Sequence, residues 1–172
     1  MEILIVGGGP AGLATAGALR GKGLEATVLE AGAAVGTSWR SHYERLHLHT
    51  VRSLSALPGR PIPRAMGRWV ARGDLVRYLE DYARALEIKL ETGVEVTRVD
   101  PGGSGWRLHT RAGEREAAVV VMATGYNRSP VLPDWPGQAE FKGEVVHSSR
   151  YRNAAPYAGK RVLVVGRTGE RL

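Results

Sequence analysis

Three glycines in the run Ile3-Leu4-Ile5-Val6-Gly7-Gly8-Gly9-Pro10-Ala11-Gly12-Leu13 are spaced to hold a phosphate group. Where a buried strand turns into a helix, the first glycine of Gly-x-Gly-x-x-Gly allows the tight exit. The second lets the main chain come up against a pyrophosphate, and the third lets the helix pack closely on the strand. The helix N-terminus then faces the anion with unpaired N–H groups. Gly7, Gly9, Pro10, Ala11 and Gly12 are therefore the expected diphosphate cradle. Glu30 completes the unit from the end of a second apolar run, Ala26-Thr27-Val28-Leu29. A carboxylate there can accept hydrogen bonds from both hydroxyls of an adenosine ribose, and it would repel a 2′-phosphate. The ligand expected is a dinucleotide.

The elements needed to position these residues can be read along the chain. Ile3–Val6 predicts a buried strand, and a helix follows to about Leu19 before the second strand. Residues 31–72 have no sustained period and contain Gly36, Pro58, Gly59, Pro61, Pro63 and Gly67, so they predict an ordered excursion of loops. A helix is expected next, with Asp74 as its N-cap and a core stripe of Leu75, Tyr78, Leu79, Tyr82, Ala83 and Leu86 at helical spacing. Val94–Val99, Trp106–Thr110 and Glu116–Met122 predict strands, with turns at Pro101–Gly105 and Ala112-Gly113. They form a small antiparallel meander that returns to the parallel sheet. The return ends in Ala123-Thr124-Gly125, small enough to pass close to a bound ligand. Residues 126–160 are irregular. Lys160–Gly166 then predicts a further buried strand running into a new glycine turn. The fold class expected is α/β, a Rossmann-type FAD/NAD(P)-binding domain with a parallel sheet and a small antiparallel β-meander.

Composition narrows the function. A chain of 172 residues that is 43% hydrophobic can bury one sizeable core. No apolar run approaches the ~20 residues of a membrane span, and the first strand starts too early for a signal peptide. No membrane partner and a cytoplasmic location are expected. With no cysteine, the chain holds no disulfide, thiolate metal site or dithiol redox pair, and no metal site is expected. The net charge is +7, and Arg40, Arg45, Arg52, Arg60, Arg64, Arg68, Arg72 and Arg77 crowd one stretch. Yet arginines outnumber lysines twenty to four across the chain, aromatic residues are 6%, and no nucleic-acid module pattern is present. The charge reads as solvated surface that also attracts anionic dinucleotides, and no nucleic-acid partner is expected.

Four pieces in order resemble the flavin-containing monooxygenases, in particular their YUCCA-like and bacterial members. Gly7–Gly12 with Glu30 is similar to the family's FAD fingerprint. Gly36-Thr37-Ser38-Trp39 is similar to its Gly-x-x-Trp segment, and Ala123-Thr124-Gly125-Tyr126 to its Ala-Thr-Gly stretch. Phe141-x-Gly143-x-x-x-His147-x-x-x-Tyr151 matches the family's signature and lies just before the second dinucleotide-binding strand. Tyr43-Glu44-Arg45-Leu46-His47-Leu48-His49 followed by Leu57-Pro58 carries the YUCCA-like flavour, since animal-type members have asparagine where His49 falls.

The resemblance implies that NADPH reduces FAD and that dioxygen is then activated as a flavin hydroperoxide to oxygenate a small-molecule substrate. It places Ser38, Trp39, Leu48 and His49 at the flavin, and Val96, Thr124 and Gly125 among the FAD contacts, with Val96 and Thr124 toward the adenine end. His49 is the one candidate for contact with reacting atoms, a structural histidine being the alternative. His47, His147 and Tyr151 read as structural. Residues 1–159 correspond to the FAD-binding domain and 160–172 to the first strand of an NADP-binding domain. Family members continue into a second glycine motif, whereas Gly166-Arg167-Thr168-Gly169-Glu170-Arg171-Leu172 breaks that spacing and ends. The chain is thus expected to be the amino-terminal part of such an enzyme and not competent alone. A different FAD/NAD(P)-dependent oxidoreductase and a non-catalytic FAD-binding remnant are the alternatives.

Overall fold

A computed structural model describes residues 2–126 and 129–166. Its centre is a parallel sheet in the order β3-β2-β1-β7, formed by β1 (Ile3–Val6), β2 (Thr27–Glu30), β3 (Lys89–Thr92) and β7 (Val119–Met122). Register pairs Leu4 with Thr27 on one side of β1 and with Val120 on the other. Helix α1 (Pro10–Arg20) makes the crossover from β1 to β2, and α3 (Arg72–Ala85) precedes β3. A second sheet, β4 (Val96–Gly102), β5 (Gly105–Thr110) and β6 (Gly113–Ala117), is the antiparallel meander expected.

Successive side chains of a strand face opposite ways, and the core divides accordingly. Leu4, Val6 and Leu29 pack with Val96, Leu108 and Ala117 of the meander. Ile5 and Val28 face the other way and pack with Ala16 of α1. A third cluster joins Leu13 of α1 to Leu75, Tyr78, Leu79, Tyr82 and Ala83 of α3, and brings in Val35, Ile62 and Val70 from the excursion. Arg115 locks the meander to the main sheet through Glu91 (2.9 Å) and Glu2 (3.1 Å). The two carboxylate hydrogen bonds raise its pKa further.

Several boundaries differ from expectation. Asp74 does not cap α3: the N-cap is Ala71, in extended backbone, and Asp74 sits inside the first turn paired to Arg77. A carboxylate there favours the positive helix end without being the cap. The single strand expected over Glu116–Met122 is two, β6 and β7, because the chain changes sheets at Ala118. Strand β4 runs on through Pro101-Gly102, so the hairpin turn shrinks to Gly103-Ser104, with Gly103 at φ +51°. Gly113 likewise pairs with Thr110 as the first residue of β6. Strand β3 has no counterpart in the sequence reading, since Lys89-Leu90-Glu91-Thr92 is four residues long with Leu90 its one apolar side chain. The excursion contains a short helix, α2 (Thr37–Arg40), and two 3₁₀ turns.

The buried strand expected at Lys160–Gly166 is not formed. Its described residues pair with no other strand, and Leu163 and Val164 are each 86% exposed. An apolar run becomes a buried strand only where neighbours supply backbone partners and a covering layer. The break in spacing after Gly166 lies outside the described residues.

Candidate functional site

Strand β1, the turn after it and the start of α1 form the floor of the candidate site, and each glycine there is fixed by a different contact. Gly7 has φ +115°, and a Cβ on it would collide with the Ala123 carbonyl oxygen at the exit of β7. A Cβ on Gly12 would collide with the carbonyl of Gly7, so helix and turn touch through main-chain atoms. On Gly8 it would lie 2.9 Å from Glu30 Oε2 and 3.1 Å from the Glu30 Cβ. Gly9 differs: a Cβ there would meet nothing within 4 Å. The protein's own main chain demands glycine at 7 and 12 and the Glu30 side chain crowds position 8, whereas the space over Gly9 is left open.

Gly9 is also the N-cap of α1, with no side-chain cap, and Pro10 occupies the first helical position where its missing N–H costs nothing. The first helical bond runs from Leu13 N–H to the Gly9 carbonyl (3.0 Å). Among the described residues no acceptor takes the N–H groups of Gly9, Ala11 or Gly12. Unpaired donors at the positive end of a helix are suited to phosphate oxygens.

Glu30 is buried at the end of β2 and holds the turn together. Its Oε2 accepts from Gly8 N–H (2.7 Å) and its Oε1 from Gly32 N–H (2.8 Å). Two carboxylate oxygens offer about four lone-pair sites. Two remain for ribose hydroxyls, so the carboxylate can support the turn and receive a ligand together.

The excursion closes on this floor. Gly36 at φ +69° caps α2, and its N–H donates to the Gly8 carbonyl (3.1 Å), so the Gly36–Trp39 turn docks against the glycine turn. Ser38 is exposed; Trp39 is half-buried against the cluster around Leu13 and Leu79, its ring 5.5 Å from that of His42. Leu48 donates its N–H to the Val70 carbonyl (2.9 Å) and Arg72 its N–H to that of Leu46 (2.8 Å), which pairs residues 46–48 with 70–72. His49, just beyond, is exposed and makes no hydrogen bond among the described residues. Its neighbour His47 bonds through Nδ1 to the Arg45 carbonyl (2.9 Å).

Ala123 donates its N–H to the Val6 carbonyl (2.9 Å), which sets Thr124 and Gly125, both exposed and Gly125 at φ +82°, beside the glycine turn. The chain thus brings Gly7–Gly12, Glu30, Gly36–Trp39 and Ala123–Gly125 together. Val96 stands apart: its side chain is buried between sheet and meander, leaving only its main chain to face a ligand. His147 accepts from Ser149 N–H (3.1 Å) and caps a 3₁₀ turn, while Tyr151 packs between Tyr43 (6.1 Å) and Tyr157 (5.9 Å). These tie the segment after β7 to the excursion.

Sequence reasoning missed Gly8 and Gly32, although each is fixed by Glu30 or its neighbours. It also missed the hydroxyls of Tyr78 and Tyr82. Tyr78 accepts from Leu57 N–H and donates to the Arg60 carbonyl (2.7 Å each), and Tyr82 donates to the Pro58 carbonyl (2.9 Å). Burial raises both phenol pKa values. Two tyrosines one helical turn apart were the available signal. No group of three or more potential metal ligands occurs among the described residues. Nor is any of their helices long and apolar enough to cross a membrane.

Comparison with known proteins bears on the family and the fold. The family described as pyridine nucleotide-disulphide oxidoreductase matches residues 4–169. Indole-3-pyruvate monooxygenase YUCCA1 of Oryza sativa subsp. japonica is 39% identical over 167 residues, which are 95% of this chain and 41% of that protein. A flavin-containing monooxygenase from Stenotrophomonas maltophilia superposes with a TM-score of 0.84 at 32% identity, over 92% of this chain and 48% of the other. S-allyl-L-cysteine S-oxygenase from Allium sativum superposes with a TM-score of 0.80 at 25% identity, over 91% and 43%. The chain spans about two fifths of the length of the curated relatives it matches.

Proposed function

Because the chain belongs to the pyridine nucleotide-disulphide oxidoreductase family, and its relatives are named monooxygenases, we propose that it is the FAD-binding portion of an NADPH-dependent flavin monooxygenase. The open space over Gly9, beside glycines that the chain's own atoms require, carries this reading. The residues present fit a dinucleotide. The N–H groups of Gly9, Ala11 and Gly12 would receive the diphosphate, and the spare lone pairs of Glu30 the adenosine ribose. The main chain at Val96 and at Thr124-Gly125 would border the adenosine half. Ser38, Trp39, Leu48 and His49 would border the ring, Trp39 and Leu48 shielding it from water and His49 offering an imidazole to ring or substrate.

FAD, when bound, supplies hydride acceptance and oxygen chemistry; the chain's residues bind it, orient it and limit water access. The proposed partners of the longer protein are NADPH, dioxygen and a small-molecule substrate. Residues 1–159 would be its FAD-binding domain, and 160–172 would open its NADP-binding domain. A cytoplasmic location goes with that reading, and turnover belongs to the longer protein rather than to these residues alone. Similarity to monooxygenases over nearly the whole chain supports this over other oxidoreductases of the same broad family, and the chain has no cysteine for disulphide chemistry.

The test joins residues 1–166 to the remainder of a related monooxygenase. The FAD-loaded chimera is expected to show saturable bleaching of the flavin band by NADPH in stopped flow, followed by oxygen uptake. A folded, FAD-loaded chimera that NADPH does not bleach overturns the reading. So does equal affinity of the 172-residue chain for FAD and FMN.

A further inference from the structure

Residues 45–73 contain six arginines, two histidines and no aspartate or glutamate. Elsewhere on the helices and the meander the arginines are neutralised in pairs, whereas among the described residues no salt bridge reaches Arg150, Arg152 or Arg161 of the segment after β7. Arg20, Arg40, Arg77, Arg84, Arg98, Arg107, Arg111 and Arg115 each face a carboxylate. Among the described residues no salt bridge reaches Arg52, Arg64 or Arg68. These three line one open concavity of about 370 Å³ together with Val51, Ser53 and Gly67. Among the described residues other arginines of the loops are also without a carboxylate, but Arg52, Arg64 and Arg68 are the ones gathered around one concavity.

The concavity is built rather than incidental. Arg52 N–H donates to the Arg68 carbonyl (2.8 Å), which extends the pairing of residues 46–48 with 70–72 and closes the loop 53–67. Arg52 Nη1 donates to the Ile62 carbonyl (3.0 Å), so one guanidinium is fixed while its other N–H groups stay available. The Arg68 guanidinium stacks over Trp69 at 5.6 Å. A 3₁₀ turn sets Arg64, and Gly67 at φ +78° leaves open space where a side chain would stand. Three like charges converging without counter-charge repel one another, and a bound anion removes that cost. Guanidinium forks match the planar or tetrahedral oxygens of carboxylate and phosphate.

We propose that Arg52, Arg64 and Arg68 form a binding pocket for the anionic oxygens, carboxylate or phosphate, of a small organic molecule. Its lining lies wholly on the excursion and includes no residue of Gly7–Gly12 or Glu30, so the pocket is an anchoring site separate from that cradle. It does not depend on FAD binding by that cradle.

The test uses the 172-residue chain at low ionic strength, with phenylacetate as the carboxylate probe and inorganic phosphate as the other. Saturable binding of at least one probe, with and without FAD, is expected. Saturation by phenylacetate alone assigns a substrate-type carboxylate, and saturation by phosphate alone assigns a nucleotide-type group. Arg64→Gln with Arg68→Gln, which leaves the Arg52 backbone contact intact, should weaken binding at least tenfold. Arg77→Gln with Arg84→Gln removes the same net charge from α3 and should change it less than twofold. Equal losses in the two double variants would mean that overall charge alone is responsible and would overturn the proposal, as would no saturation by either probe. Labelling of the unmodified chain with phenylglyoxal gives a readout that needs no variant. The bound probe should protect Arg52, Arg64 and Arg68 selectively, and uniform protection of all exposed arginines would overturn the pocket.

Discussion

Replacing Glu30 by glutamine tests the point where fold and proposed ligand meet. The carboxylate is 8% exposed and accepts N–H groups from Gly8 at 2.7 Å and Gly32 at 2.8 Å. Hydrogen bonds to a charged group contribute about 1.5–3 kcal/mol each, and an unsatisfied buried donor costs about 1–3 kcal/mol. Glutamine keeps one acceptor oxygen and turns an NH₂ toward the other N–H, so one bond is lost and two donors face each other. The expected loss is about 2–4 kcal/mol. For a chain of this length that lowers Tm by about 5–15 °C, read by thermal melting of the ligand-free protein. Ligand binding separates the two roles of the carboxylate. Glu30→Ala should weaken FAD by a further tenfold or more, because the charge-assisted contacts to the adenosine ribose are lost. FMN has no adenosine and should weaken only as far as the turn loosens. An unchanged Tm for Glu30→Gln would refute the structural role, and equal losses for FAD and FMN would refute the ribose contact.

Gly9→Ala should leave Tm within a few degrees of the parent, because its Cβ meets nothing in the chain, and should cut FAD affinity at least tenfold by titration. Gly12→Ala should instead fail to fold or melt far lower, because its Cβ collides with the Gly7 carbonyl; a Gly12→Ala protein as stable as the parent would contradict the packing. Tyr78→Phe leaves the Leu57 N–H unpaired and should cost about 1–3 kcal/mol in urea unfolding. Burial raises the pKa of Tyr78 and Tyr82 above their ordinary 10.0, so their contribution is complete below about pH 10 and is lost as pH climbs through the folded values. Stability curves from pH 8 to 11 should therefore fall less steeply for Tyr78→Phe with Tyr82→Phe than for the parent.

Where local pattern and global packing agree, the sequence was legible. Ile3–Val6 is apolar at every position because β1 is buried on both faces, and the observed strand has the bounds read from sequence. The stripe on α3 was readable because one face of a helix repeats at three and four residues: Leu75, Tyr78, Leu79, Tyr82 and Ala83 are buried, whereas Leu86 falls just past the helix as its half-buried C-cap and Val76 is buried beside the stripe. Asp74 misled because a favourable first-turn carboxylate and an N-cap draw on the same residue types. Only the backbone of Ala71 distinguishes them. Strand β3 was hidden because half its residues are exposed: at a sheet edge, backbone pairing rather than apolar content makes the strand.

The candidate site shows the same division more sharply. A glycine spacing reports where side chains are excluded, without saying what excludes them. In this turn the excluding atoms are Ala123 and Gly7 carbonyls and the Glu30 side chain at three positions, and nothing from the chain at the fourth. Gly8 was passed over because the motif treats it as a spacer, although Glu30 packs directly on it. Glu30 was read as the acid at the end of the second strand, where β2 does end, yet its bonds to Gly8 and Gly32 depend on a turn that only the folded backbone defines. The same limit applied to the arginines of residues 45–72. Their number could be counted, but only the folded loop sets Arg52, Arg64 and Arg68 around one concavity while the paired arginines lie on other elements. Charge density along a sequence therefore becomes a binding argument only after the carboxylates that neutralise its neighbours have been located in space.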